Sequence, residues 1–218
     1  MKYVVVLPYR VQRFRDACME TCKFENVLEI DNTGRNLGIM ASHNLGIDKM
    51  YEEDADWLII MSAAVRFGEK GGLDFIEALK TTHCKVLEAA PVYGWHLIAF
   101  HKSVIDKVGG WDTNFTPYGY DDLDYSLRIR KAFANDPDFK WEKVVIDIKD
   151  TIMGHSIRLG DVPVNDAVLM DYYNRKWGKY PGTGEDASNT YPTPFNDPNL
   201  DLKFFTDGWF QKWKEERW

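Results

Sequence analysis

Residues 3–10 read YVVVLPYR, an apolar and mostly β-branched run that Pro8 ends. Such a run predicts a buried strand over Tyr3–Leu7. Apolar runs and amphipathic segments alternate after it, which predicts strands at 27–30, 57–61, 86–90, 97–100 and 141–148, and helices at 10–22, 37–51, 75–81, 102–108 and 170–177. This alternation indicates parallel strand pairing in an α/β layered domain.

Polar or small residues follow three of the predicted strands. They are Pro8-Tyr9-Arg10, Asp31-Asn32 and Met61-Ser62-Ala63-Ala64. Ligands of such sheets bind outside the carboxyl ends of the strands. The composition of these ends therefore fits a cleft for a nucleotide.

A crowded group of carboxylates lies in residues 108–130, VGGWDTNFTPYGYDDLDYSLRIR. Asp121, Asp122 and Asp124 follow a Tyr-Gly-Tyr turn there. Like charges raise one another's pKa, and such crowding is typical of sites that handle a proton, a metal or another cation. The alternative is a helix start, since aspartate in the first turn complements the helix dipole and accepts its free N–H groups. That alternative accounts for one or two of the three acids.

The composition narrows the class of protein and of partner. The chain has 218 residues, 44% hydrophobic and 28% charged, as in a soluble domain with or without an extension. Its net charge of -7 argues against nucleic acid as the partner. Three cysteines without a second pair at metal spacing indicate reduced thiols. The first residues form too short an apolar run for a signal peptide, so we expect a cytoplasmic location without a transmembrane segment.

Several motifs, taken in order, carry a resemblance to a known family. Asp31-Asn32, Asn36-Leu37-Gly38, Ala41 and Asn44-Leu45-Gly46 are similar to its "DN…N.G…A.N.GI" stretch. Gly109-Gly110-Trp111-Asp112…Phe115 with Asp121-Asp122-Leu123-Asp124…Arg128 is similar to its "GGFDE.F…EDxDL..R" segment, and Asn174–Gly178 to its "KWGG" ending. Over residues 1–180 the chain resembles GT-A-fold glycosyltransferases of the inverting family-2 type, and YVVVLPYR resembles the strand that opens their nucleotide pocket.

The resemblance implies transfer of a sugar from a nucleoside-diphosphate sugar to a hydroxyl, on a glycan, with inversion. The donor would be contacted by Pro8, Tyr9, Arg10, Asp31, Asn36, Ser62, Ala64 and Arg66. Asp122 would be the general base with Asp121 beside it, and Asp124 would pair structurally with Arg128. Gly94, Trp95 and Trp111 would contact the acceptor; the alternatives are a packed turn for Trp95 and packing beneath the acid loop for Trp111.

One departure from the family concerns the metal. The resemblance implies an Mn²⁺ or Mg²⁺ ion held by a DxD acid after the third strand, but Ser62 and Ala64 stand there. Divalent ions prefer anionic oxygen ligands, so metal-independent transfer is favoured. Cations would then stabilise the diphosphate, with Arg66, Arg158 and Lys176 as candidates and His155 as a donor. The letters DxD at Asp54-Ala55-Asp56 precede the strand and indicate a surface turn.

Two other functions remain open, together with the role of the C-terminal segment. The missing acid allows a weak or inactive protein that binds sugar nucleotides or glycans. A nucleotidyltransferase would need metal-binding carboxylates at the strand ends, which Ser62 and Ala64 do not supply. Residues 181–218 are rich in aromatic side chains and turn formers, which predicts an extended segment docked on the domain or on a partner, with a homo-oligomer as one possibility.

Overall fold

The computed structural model describes residues 1–34, 37–91, 95–116, 118–151 and 166–177. The strands are β1 (Tyr3–Tyr9), β2 (Val27–Asp31), β3 (Trp57–Met61), β4 (Val65–Phe67), β5 (Val86–Ala90), β6 (Leu97–His101), β7 (Trp141–Val145) and β8 (Ile148–Thr151). The helices are α1 (Gln12–Thr21), α2 (Ile39–Glu52), α3 (Leu73–Thr81), α4 (Lys102–Val108), α5 (Asp121–Ala132) and α6 (Asp166–Trp177), with a short 3₁₀ turn at Thr113–Phe115. The predicted α/β layering is confirmed, and β3, β5 and α4 have the predicted bounds.

The central sheet has six strands in the order β2-β1-β3-β6-β5-β7. Strand β1 pairs in parallel with β2 and β3, and β5 pairs in parallel with β7. The predicted mostly parallel sheet is confirmed, with β6 as the exception that runs antiparallel to both neighbours. Only residues 91–96 join β5 to β6, whereas a parallel crossover needs about a dozen residues or more.

A small second sheet was not predicted. The expected strand at 141–148 divides into β7, in the central sheet, and β8, which pairs antiparallel with β4. The division falls at Asp147, whose N–H donates to Asp74 at 2.8 Å and whose carbonyl accepts the N–H of Gly68, also at 2.8 Å. Strand β4 has three residues, too few for any periodicity to show in the sequence.

Both faces of the central sheet are covered. One core contains side chains of α2, α4, α5 and α6, and the other contains side chains of α1 and α3. Gly46 lets α2 approach the sheet closely, because a Cβ there would lie 2.9 Å from that of Val6. No helix in the described ranges is long and apolar enough to cross a membrane. The predicted docked segment at 181–218 lies outside the described residues.

Candidate functional site at the carboxyl edge of the sheet

The ends of β1 and β2 bring the predicted nucleotide-side residues together. Tyr9 and Asp31 are register partners, and the N–H of Asn32 donates to the carbonyl of Tyr9 at 2.8 Å. The exposed Asp31 carboxylate accepts the N–H and the hydroxyl of Thr33, at 2.8 and 2.6 Å. These bonds to Thr33 lower the pKa of Asp31, so its charge is present at neutral pH. Pro8, Tyr9 and Arg10 are each half-buried.

Asn32 connects this edge to helix α2, a role that the sequence did not reveal. Its side chain is buried; the oxygen accepts the N–H of Leu37 at 3.0 Å and the amide donates to Ser42 at 3.2 Å. These bonds fix the start of α2 relative to the end of β2. The side-chain bonds of a buried asparagine depend on residues that only the fold brings near.

The turn after β3 does not fit a divalent ion. The hydroxyl of Ser62 accepts the N–H of Ala64 at 3.2 Å, and neither Ala63 nor Ala64 offers a side-chain ligand. Arg66 instead places a positive charge there: its Nη1 donates to the carbonyls of Ala63 and Val65 at 2.7 and 2.8 Å. Within the part of the chain that the structure describes, no group of three His, Cys, Asp or Glu side chains could hold a metal.

The alternative DxD letters lie at the opposite edge of the sheet. Asp54 and Asp56 precede β3 and are exposed. Asp54 forms an ion pair of 2.9 Å with Lys102, and Asp56 accepts the backbone N–H of Lys2 at 2.6 Å. The predicted surface turn is confirmed, so these acids are remote from the carboxyl edge.

The acid pair opens helix α5. Tyr120, with φ at 63°, turns the chain into the helix and gives no side-chain cap. Asp121 accepts the N–H of Gly119 at 2.9 Å, and Asp122 accepts that of Leu123 at 2.8 Å. Only the second bond matches the helix-start alternative, because Gly119 lies outside the helix.

Both carboxyls of the acid pair hold their protons more tightly than an exposed aspartate does. Each side chain is half-buried. Burial raises the pKa of Asp121 to about 7, and the charge of Asp122 adds to the shift. Burial raises the pKa of Asp122 as well. A raised pKa lets a carboxylate accept a proton more readily, as a general base requires.

Asp124 belongs to the interior and not to the cleft. It is 1% exposed and accepts Arg128 Nε at 3.1 Å, as its predicted pairing requires. Its other oxygen lies 2.7 Å from the ammonium of Lys176 and 2.7 Å from the indole nitrogen of Trp177. These contacts fasten α6 to α5.

Lys176 is buried, so it cannot make the predicted contact with the diphosphate. Its side chain is 0% exposed, and its ammonium also lies 2.6 Å from Asp112. Two buried carboxylates therefore already neutralise its charge, and we assign it to the attachment of α6. Asp112 further accepts the hydroxyl of Tyr172 at 2.6 Å and the backbone N–H of Asn114 at 3.0 Å.

The two predicted acceptor aromatics are packed in the core to different extents. Trp111 is 3% exposed and stacks on Tyr125 with ring centroids 4.0 Å apart, which is the packing alternative. Its backbone forms two bonds with the side chain of Asn44, at 2.7 and 3.0 Å, that hold the loop against α2. Trp95 is half-buried, with its ring against Phe100 and Tyr125. Tyr125 lies one turn after the acid pair, so it links that pair to Trp95.

The residue after Trp95 contacts the turn after β3: the carbonyl of His96 accepts the N–H of Ser62 at 2.8 Å. Described contacts thereby connect the β3 turn with helix α5, whose first turn carries the acid pair. Four predicted site residues, Asn36, Gly94, His155 and Arg158, lie outside the described residues.

No protein-family model matches the chain, and no curated protein sequence matches it. Its structure is similar to that of the mannosyltransferase from Pyrobaculum calidifontis in complex with GDP-Man and Mn²⁺, with a TM-score of 0.51, 10% identity, and coverage of 80% of this chain and 62% of that one. It is similar also to the catalytic domain of Drosophila β1,4-galactosyltransferase 7 in complex with xylobiose, with a TM-score of 0.51, 13% identity, and coverage of 69% and 68%.

These likenesses show a GT-A fold of the kind found in glycosyltransferases. The chain spans 62% of the length of the mannosyltransferase that it matches. At such low identity the likeness extends to the fold alone, because one fold supports many chemistries. The function has to be argued from the carboxyl edge and the acid pair.

Proposed function

We propose that this protein transfers a glycosyl group from a nucleoside-diphosphate sugar to a hydroxyl of a glycan, with inversion at the anomeric carbon. The observation that carries the proposal is the pair Asp121 and Asp122, half-buried at the start of α5 with raised pKa values. A protein that only binds glycans has no need of a poised base, and ligands of such α/β sheets bind at the carboxyl edge.

The donor occupies the ends of β1 and β2 in this proposal. The ionised Asp31 carboxylate is exposed and already oriented by Thr33, so it can accept ribose hydroxyls. Tyr9 is its register partner and offers a flat face for the base, with Pro8 and Arg10 beside it. Asn36, which follows on the chain, is a further proposed donor contact.

Asp122 is the proposed general base. Its carboxylate takes the proton of the acceptor hydroxyl while that oxygen forms a bond to the anomeric carbon of the donor. The bond from that carbon to the diphosphate oxygen breaks at the same time, and the departing nucleoside diphosphate takes the electron pair. A single displacement of this kind inverts the configuration. Asp121 lies beside the base, and the charge of Asp122 helps to raise the pKa of Asp121.

The acceptor lies against Trp95 and Gly94 in this proposal. The Trp95 ring contacts Phe100, Tyr125 and Trp141 and is only half-buried, so part of it can contact a sugar. Aromatic rings commonly present such a face to a ligand while their other side packs in the core. Trp111 supports this floor from beneath and does not contact the acceptor.

The experiment first identifies a donor by thermal shift across UDP-, GDP- and dTDP-sugars, because a bound ligand raises the melting temperature. Release of nucleoside diphosphate is then measured with simple glycosides as acceptors. Asp122→Asn should lower turnover at least about 100-fold, the usual contribution of a general base, with donor affinity unchanged. Asp138→Asn, an exposed acid on the turn after α5, is the matched control.

The alternative functions make different predictions in the same assay. Undiminished turnover in Asp122→Asn would remove the base assignment. Donor binding without any turnover in the wild type would favour a sugar-nucleotide binder instead. A nucleotidyltransferase would release pyrophosphate from nucleoside triphosphates, and the absence of a carboxylate at Ser62 or Ala64 argues against it.

A further inference from the structure

The turn after β3 carries a cation in an unusual setting. Arg66 is half-buried, and within the described ranges its guanidinium forms hydrogen bonds through one nitrogen, to the carbonyls of Ala63 and Val65. A guanidinium has five N–H donors in a rigid fork, which suits the oxygens of phosphate. Since Nη1 alone holds the side chain to the described part of the chain, Nε and Nη2 remain to bind a ligand.

The charge of Arg66 has no carboxylate partner within the described ranges. Asp150 is its register partner across β4 and β8, yet the two side chains form no ion pair. Two other arginines do have carboxylate partners: Arg128 pairs with Asp124, and Arg15 pairs with Asp16. Removing a charged group from water is costly unless an opposite charge compensates it. A half-buried guanidinium without such a partner therefore fits an anion that binds from solution.

The position of Arg66 in the fold indicates which anion it would bind. The turn follows β3 at the carboxyl edge, and the N–H of Ser62 joins it to the residue after Trp95. A divalent ion is excluded from the turn by its chemistry, since Ser62 and Ala64 carry no carboxylate and Arg66 would repel a metal. A nucleoside diphosphate bound at the ends of β1 and β2 would direct its phosphates toward the neighbouring strand, β3.

We propose that Arg66 binds the diphosphate of the donor and takes the place of the divalent metal at this position. The inference rests on the proposed function, which supplies the nucleoside diphosphate. When the bond to the anomeric carbon breaks, the leaving diphosphate gains negative charge, and the guanidinium stabilises that charge. A fixed cation of this kind stabilises the transition state without a metal.

The test measures binding of UDP, GDP and ADP, and of the matching nucleosides, to the full chain by isothermal titration calorimetry in EDTA. We expect one diphosphate to bind the wild type, and Arg66→Gln to weaken it at least about tenfold, as the loss of a charge-assisted bond implies. The matching nucleoside should bind both proteins equally, because it lacks the phosphates. Arg66→Lys, which retains the charge without the fork, should fall between them.

Arg130→Gln is the matched control, because it removes the same charge from the exposed last turn of α5. Thermal unfolding of every variant establishes that the fold is intact. A diphosphate that binds the wild type only with Mn²⁺, or that binds Arg66→Gln as tightly as Arg130→Gln, would overturn the role of Arg66 and leave the proposed transfer standing. Failure of every diphosphate to bind the wild type, with or without Mn²⁺, would remove the proposed function and this inference together.

Discussion

Replacing Lys176 with methionine tests how α6 is held to the acid-bearing helix. The lysine side chain is 0% exposed, with its ammonium 2.6 Å from Asp112 and 2.7 Å from Asp124. Methionine fills a similar volume but leaves two buried carboxylates without their shared cation. Breaking a buried ion pair from one side costs about 3–5 kcal/mol of stability.

The remaining contacts place the expected loss near the lower end of that range. Asp124 keeps Arg128, while Asp112 keeps the hydroxyl of Tyr172 but has no other cation among the described residues. We therefore expect Lys176→Met to lower the free energy of unfolding by about 3 kcal/mol at pH 7. Burial opposes the Asp112 charge, but Lys176 and the hydrogen bonds outweigh it and lower the pKa of Asp112 in the wild type. Without Lys176 that carboxyl takes up a proton more readily, so the deficit should shrink as the pH falls from 7 towards 4.

The assay is urea unfolding followed by tryptophan fluorescence, at pH 7 and at lower pH. Lys131→Met on the exposed face of α5 is the control. The double variant Lys176→Met/Asp112→Asn should lose about 1.5 kcal/mol less unfolding free energy than the two single variants lose together, because the effects of contacting residues are not additive. A loss below about 1 kcal/mol, or one that is independent of pH, would refute the reasoning.

Three further changes test other parts of the fold. Gly46→Ala should destabilise by about 1–3 kcal/mol in urea unfolding, since the new Cβ would lie 2.9 Å from that of Val6, whereas Gly34→Ala, with nothing within 4 Å, should be neutral. Burial lowers the pKa of His43 to about 3, so between pH 7 and pH 5 the unfolded chain binds a proton that the folded protein does not. The free energy of unfolding of the wild type should therefore fall by about 2 kcal/mol over this range, whereas that of His43→Leu should not. The pKa of Asp121 is raised to about 7, so ionisation opposes folding as the pH rises from 4 to 7; the melting temperature of Asp121→Asn should therefore exceed that of the wild type by more at pH 8 than at pH 5.

Local patterns account for most of the element assignments. The apolar runs at Tyr3–Leu7 and 57–61 are long enough to predict strands, and β3 has the bounds expected for it. The direction of β6 and the division of 141–148 between two sheets were not predictable in the same way. Both depend on which strand lies alongside, and pairing across the sheet leaves no periodicity in a single segment.

The candidate site likewise has features that the sequence determined and features that only the fold decided. The sequence by itself determined that Asp121, Asp122 and Asp124 would crowd at one helix start, and that Ser62 and Ala64 could not hold a metal, because those statements follow from residue types at adjacent positions. Only the tertiary structure decided that Asp124 and Lys176 are buried together, while Asp121 and Asp122 stay half-exposed. The physical reason is that burial and charge pairing depend on distant elements: α6 covers Asp124, and no segment in the described ranges supplies a cation to Asp121 or Asp122.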